Sequence, residues 1–218
     1  MEKIKIIQRN FFRIFWILVI GSVFGFFAEM LYALVYTRTL EIRHGLIYGP
    51  FIQVYGMGAL AYYLLIRNET DPKKAFFKGM VMGGLLEYIC SFLQEVLFGT
   101  ISWDYSEMFL NINGRTSLLY CFYWGIIGVF FLKVAYPGLT KLDKFLDRKK
   151  IIIFSYILLV FVVLDVAISS MATIRQDERH KGIPAKNNVD EFLDNTYPDE
   201  YLNKIYNNNK PIPKSNRK

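Results

Sequence analysis

The chain has 218 residues, of which 53% are hydrophobic and 17% aromatic, and it is too apolar and too lightly charged for an ordinary soluble domain of this length. Its net charge of +7 is not a nucleic-acid footprint, because Lys and Arg fall between and after long apolar runs rather than on one face. The cysteines, Cys90 and Cys121, both lie inside apolar stretches, which argues against a disulfide framework and for buried thiols.

Five stretches approach the roughly 20 residues that a helix needs to cross a hydrocarbon core. In chain order they run from about Phe11 to Tyr36, Pro50 to Ile66, Ala75 to Phe98, Ser117 to Tyr136 and Ile151 to Ala172. The second is the shortest and the richest in glycine. The runs are continuous rather than alternating, so lipid-spanning strands are excluded and the expected fold is an all-α, polytopic transmembrane helical bundle. The first stretch is longer than a signal-peptide core and meets no small-x-small cleavage site before Glu29 and Tyr32, so it reads as a retained helix. After the transmembrane domain (residues 1–172) comes a polar tail, 173–218. Its Asn207-Asn208-Asn209 run and Pro211-x-Pro213 predict a largely disordered appendage with at most one short helix around Val189 to Tyr206.

Charge sets the expected orientation. Lys3, Lys5, Arg9 and Arg13 precede the first span, the second connection holds Arg67, Lys73, Lys74 and Lys78, and the fourth holds Lys141, Lys144, Arg148, Lys149 and Lys150. The first connection has only Arg38 and Arg43, and the third only Arg115. The positive-inside rule places the N-terminus in the cytoplasm and the C-terminus outside.

Carboxylates within spans are costly and require a partner, a wet cavity or a neutral form. Glu29, Glu87, Glu95 and Asp165 all fall in the middle or outer part of their spans, which one outward-facing polar cavity would explain. Glu87, Ser91, Gln94 and Glu95 recur at helical spacing and share one side of the third helix. A polar seam between packed helices gives the same pattern without a ligand. Asp165 alone can also grip an Arg or a backbone group. Arg43, His44 and Arg115 stand at the outer ends of the first and third spans, as counter-charges or as ligands for an anionic group. No His or Cys cluster forms a zinc site, and no cofactor is called for.

Glycine marks the first outer connection, where Tyr48-Gly49 and Tyr55-Gly56 recur seven residues apart and Pro50 suits a first helical turn. Gly21 and Gly25, and Gly79 and Gly83, permit close helix approach. In the loop from Gly99 to Thr116, Trp103, Tyr105 and Phe109 suit interfacial anchoring. Asp104, Ser106, Asn111, Asn113 and Arg115 suggest a loop that folds back over the cavity.

These motifs, taken in order, resemble a family of bacterial membrane proteins. Gly25-x-x-x-Glu29, Gly45-Leu46-Ile47-Tyr48-Gly49-Pro50-Phe51, Tyr55-Gly56, Leu86-Glu87-Tyr88, Glu95 before Phe98-Gly99, Trp103-Asp104-Tyr105-Ser106, Asn111-x-Asn113-Gly114-Arg115 and Trp124-Gly125 resemble the permease-like putative ABC-transporter type IV family from Phe11 to Ala172. The chain departs from it at Arg43-His44, where the family commonly has Asn-Arg, and at Gln53-Val54, where it has Pro-Ile. The resemblance implies a permease-like component whose substrate contacts come from Glu29, Arg43, His44, Tyr48, Tyr55, Glu87, Glu95, Asp104, Asn113 and Arg115. The chain has no Gly-x-x-x-x-Gly-Lys-Ser/Thr phosphate loop, so an ATPase would be a separate subunit beside the lipid bilayer as partner. Two other readings stay open: a membrane enzyme acting on a lipid headgroup at the outer face, and a non-transporting accessory protein.

Overall fold

A computed structural model describes residues 2–40 and 42–211. Helices dominate: α1 (Glu2–Thr37), α2 (Gln53–Leu65), α3 (Pro72–Phe98), α4 (Leu118–Phe130), α5 (Tyr136–Leu146), α6 (Lys149–His180), α7 (Asn188–Thr196) and α8 (Asp199–Ile205). Two-residue strands, β1 (Thr100–Ile101), β2 (Asn111–Ile112), β3 (Thr116–Ser117) and β4 (Lys210–Pro211), form the antiparallel pairs β2–β3 and β1–β4.

Four helical stretches are long and apolar enough to cross a membrane: Lys5–Tyr36, Pro72–Phe98, Leu118–Leu146 and Lys149–His180. The second predicted span differs. Its helix, α2, has 13 residues, about 20 Å at 1.5 Å per residue, against a core about 30 Å thick. The rest of that crossing is irregular backbone ahead of Gln53. Its amide at Ile52 bonds the carbonyl of Ser22, halfway along α1. Four full helices and one half-helix therefore replace five full spans, and the N-terminus and tail lie on opposite sides of the bundle.

Small residues bring the helices together. A Cβ on Gly21 would stand 2.6 Å from that of Ala59, and one on Gly25 would run into the Tyr55 side chain. Their order makes α1 and α2 antiparallel neighbours. Across α3 and α4, Gly79 faces the Trp124 carbonyl and Gly128, and Gly83 lies flat against the Trp124 ring. Without a hydrophobic force between helices in lipid, this close approach supplies the attraction. Asp71 starts α3 by accepting from the Lys73 amide (2.9 Å), with Pro72 at the first helical position, and Gly99 (φ +65°) ends it. On α6, exposed Ile153, Ile157, Val160 and Leu164 make a lipid-facing stripe, while Ser155, Asp165 and Ser169 turn inward.

The fourth crossing runs straight into α5 through a π-helical turn, Phe131–Ala135. Pro137, at the start of α5, lacks an N–H and crowds the carbonyl four residues back, and the wider turn accommodates it.

The region after the last span is more structured than its composition implies. Instead of a largely disordered appendage, α6 continues to His180, and α7 and α8 fold back so that Leu193, Tyr197, Leu202 and Tyr206 bury against Ile47 and Ala172. Residues 212–218, with Pro213, lie outside the described residues.

Because Gly83 lies against an indole, Gly83→Leu forces α3 and α4 apart, at a cost of about 1–3 kcal/mol or more. The expected outcome is a lower melting temperature in detergent, while Gly138→Ala, within α5 and with nothing within 4 Å of its Cβ, does not lower it.

Candidate functional site

The broken second crossing raises an accounting question, because irregular backbone at membrane depth survives only when protein or a cavity satisfies it. The Ile47 amide donates to Ser169 Oγ (2.9 Å) and the Tyr48 amide to Asp165 Oδ1 (3.2 Å). Gln53 Nε2 donates to the Gly45 carbonyl (3.0 Å). Gly49, at φ +75°, makes the bend before Pro50. Asp165 is thus a clamp for backbone, and Ser169, one turn along α6, donates to the same carboxylate oxygen (3.1 Å).

Beside this segment is a cavity of about 1100 Å³ in the half of the bundle nearer the tail. The later part of α1, the later part of α3, the start of α4, the broken segment and the tail form its wall. Glu29, Arg43, His44, Tyr55 and Glu87 line it, so two of the four intramembrane carboxylates meet there. Arg43 Nη1 pairs with Glu29 Oε2 at 3.2 Å, and the Tyr55 hydroxyl donates to Glu29 Oε1 at 2.6 Å. His44 stands 5.6 Å from the Phe26 ring, and its buried Nδ1 has no hydrogen-bond partner among the described residues. Glu87, 5% exposed, accepts from the Tyr105 hydroxyl (3.1 Å) and the Thr116 hydroxyl (2.9 Å).

The other residues expected to contact substrate, Tyr48, Glu95, Asp104, Asn113 and Arg115, lie outside the lining. Arg115 pairs with Glu95 and stacks over Tyr88 and Phe92, 5.8 and 5.5 Å from their ring centres. The α3 polar seam therefore divides: Glu87 and Gln94 face the cavity, while Ser91 and Glu95 engage Arg115. Asn113 (φ +52°) and Gly114 (φ +66°) turn the β2–β3 hairpin, which is the physical reason for an Asn-Gly pair there. Asp104 Oδ1 accepts from the Ser106 amide (2.9 Å). Tyr48 reaches the tail, its hydroxyl 3.0 Å from that of Tyr197. Together these groups shape the loop. Trp103 Nε1 donates to the Arg115 carbonyl and the Tyr105 amide to the Gly114 carbonyl, both at 2.8 Å, and Trp103 and Tyr105 enter the cavity wall. Burial, and then the neighbouring Glu87, raises the Tyr105 hydroxyl well above its ordinary pKa, which keeps it a donor.

Sequence reasoning missed the aromatic wall. Tyr105 stacks on Tyr120 at 4.1 Å, and Tyr55 lies 6.0 Å from Trp124. The high aromatic content and the Tyr120, Tyr123, Trp124 run opening the fourth span were the available signals. The tail was missed as well. Tyr206, Asn208 and Asn209 line the cavity, and Asn209 Oδ1 accepts from Ser102 Oγ (2.7 Å).

A basic clasp holds the tail. Arg175, 2% exposed, binds Asp194 through Nε and Nη2, both at 2.9 Å, and Arg179 binds Asp194 (2.6 Å) and Asp199 (2.5 Å). Bidentate guanidinium–carboxylate geometry of this kind is the strong form of an ion pair.

The chain matches the model of the putative ABC-transporter type IV family over residues 16–170, and it belongs to that family. No curated protein and no solved structure matches it.

Hydrogen bonds from Arg175, and then from Arg179, hold the Asp194 carboxyl below its ordinary range. A lowered folded pKa gives stability that is present above the unfolded value, about 3.9, and lost as pH falls through the folded one. Limited proteolysis is expected to find the tail protected at pH 7 and released only below about pH 4. Asp194→Asn, which leaves Arg175 with Glu178 (2.9 Å) as its remaining acidic partner, should weaken docking at pH 7 by about 1.5–3 kcal/mol.

Proposed function

We propose that this member of the putative ABC-transporter type IV family is the membrane-embedded, permease-like component of a transporter, with the cavity of about 1100 Å³ as its solute site. The observation that carries this reading is the coincidence of that cavity with a crossing that is half helix and half irregular backbone. Transporters commonly build sites near the bilayer midplane from discontinuous helices of this kind. In this reading Glu29, Arg43, His44, Tyr55 and Glu87 contact the solute. Tyr48, Glu95, Asp104, Asn113 and Arg115 hold the walls in shape.

The chain carries no phosphate-binding loop of its own, so ATP hydrolysis would come from a separate subunit. Such a subunit would dock on the side of the N-terminus. Lys141, Lys144 and Arg148 are exposed there on and just beyond α5, and the positive-inside rule makes that side cytoplasmic in a bacterial cell. The π-helical turn ahead of α5 would let α4, whose Tyr120 and Trp124 line the cavity, move with the docked partner.

The tagged protein, purified in mild detergent with copurifying chains identified and bound lipid profiled, tests this. A stoichiometric ATPase whose hydrolysis is stimulated by the membrane protein is the expected result. A chain that purifies alone, moves no solute in liposomes and carries a lipid altered by the wild type but not by Glu87→Gln would overturn it in favour of a membrane enzyme.

A further inference from the structure

The charged groups lining the cavity are few, and their pairing decides what it accepts. Glu29 is answered by Arg43 at 3.2 Å and by the Tyr55 hydroxyl at 2.6 Å, so that end of the cavity is close to neutral. Glu87 is different. Its hydrogen bonds come from neutral groups, the hydroxyls of Tyr105 and Thr116 and the Trp124 indole, and no basic side chain pairs with it among the described residues. The lining carries one more carboxylate than it has guanidinium groups.

The surface around Glu87 is aromatic. Tyr105 and Tyr120 form a stacked pair with centres 4.1 Å apart, and Tyr55 and Trp124 form a second pair at 6.0 Å. All four line the same cavity as Glu87. The faces of Tyr and Trp carry negative potential and attract cations, most strongly where water is excluded. A carboxylate has about four acceptor sites, so three hydrogen bonds still leave Glu87 capacity to spare. Much of the remaining wall, including Phe24, Leu93, Leu97 and Ile127, is apolar and offers nothing to a strongly hydrated ion. The volume, about 1100 Å³, lies just above the range of pockets that enclose drug-sized molecules, roughly 300–1,000 Å³.

The geometry points to a lipophilic organic cation, an ammonium-type head on an apolar body, as the ligand of this cavity. Its charge lies at Glu87 among the rings of Tyr55, Tyr105, Tyr120 and Trp124, and its body lies along the apolar wall. The Arg43–Glu29 pair stays intact and excludes anions by offering no free positive charge. This inference rests on the reading of the cavity as a solute site and names the chemical class of the solute.

The probe is radiolabelled tetraphenylphosphonium, bound to the immobilised full-length protein and read by scintillation proximity. Saturable binding is expected, displaced by benzyltrimethylammonium but not by neopentylbenzene, its neutral carbon isostere. Glu87→Gln should weaken binding by about tenfold or more, and Tyr120→Leu by several-fold, with melting temperatures showing that each variant is folded. Should Glu87→Gln fail to fold, the isostere pair and Tyr120→Leu decide the matter. Equal displacement by the neutral isostere, or unchanged affinity in the folded variants, would overturn the proposal. Saturable cation binding without an ATPase or solute flux would sink the permease reading and leave this one standing. An ATPase partner without cation binding would do the reverse.

Discussion

Inside a bilayer, a backbone amide without a partner costs several kcal/mol, and the second crossing of this protein enters as irregular chain that would expose several. The rest of the tail-side half is arranged around that constraint. Ser22 lends its main-chain carbonyl from α1, and Asp165 and Ser169 lend side chains from α6. Gln53 closes the turn on Gly45 from the first residue of α2. An acidic residue in the last span is therefore explained by the backbone it serves. The helix saved by unwinding this stretch is space, and the cavity occupies it.

Two consequences follow for packing. Because α2 is short, it packs only along the middle of α1, where Gly21, Gly25 and Gly56 let the two backbones approach closely. Past Gly25, α1 lines the cavity through Ala28, Glu29, Tyr32 and Tyr36, and the loop after α3 and the tail cover other sides of that cavity. The loop is held by main-chain and turn contacts and inserts Trp103 and Tyr105. The tail is held by Arg175 and Arg179 and inserts Tyr206, Asn208 and Asn209. Pairing of β1 with β4 joins these two covers directly.

Much of this was legible in the sequence. Apolar runs gave the four long helices, and the small residues marked the close helix contacts. Helical spacing put Glu87, Ser91, Gln94 and Glu95 on one side, of which only Glu87 and Gln94 face the cavity, while Ser91 and Glu95 hold Arg115. Glu29 and Glu87 were singled out by the cost of charge in lipid, and they do share a cavity. The half-crossing was harder to see, because Pro50 to Ile66 is apolar throughout and hydropathy does not register where a helix begins. Only the glycines and Pro50 hinted at it. Asp104 and Asn113 looked like ligands because polar residues in a loop carry either chemistry or turn geometry, and here they carry turn geometry. The tail looked disordered because its few apolar residues, Leu193, Tyr197, Leu202 and Tyr206, bury against surface supplied by Ile47 and Ala172 from distant parts of the chain. Composition alone does not reveal such a partner.

The central claim is that residues 44–53 enter the bilayer as irregular chain along a cavity and not as a lipid-facing helix. A cysteine scan across these positions, in a background lacking Cys90 and Cys121 and probed with a charged methanethiosulfonate applied from the tail side, measures it directly. Modification is expected at 44, 45, 52 and 53, which line the cavity, with Ile47, outside the lining and part of the packed core, protected. Labelling absent throughout, or recurring every three to four residues as on a continuous helix, would contradict it.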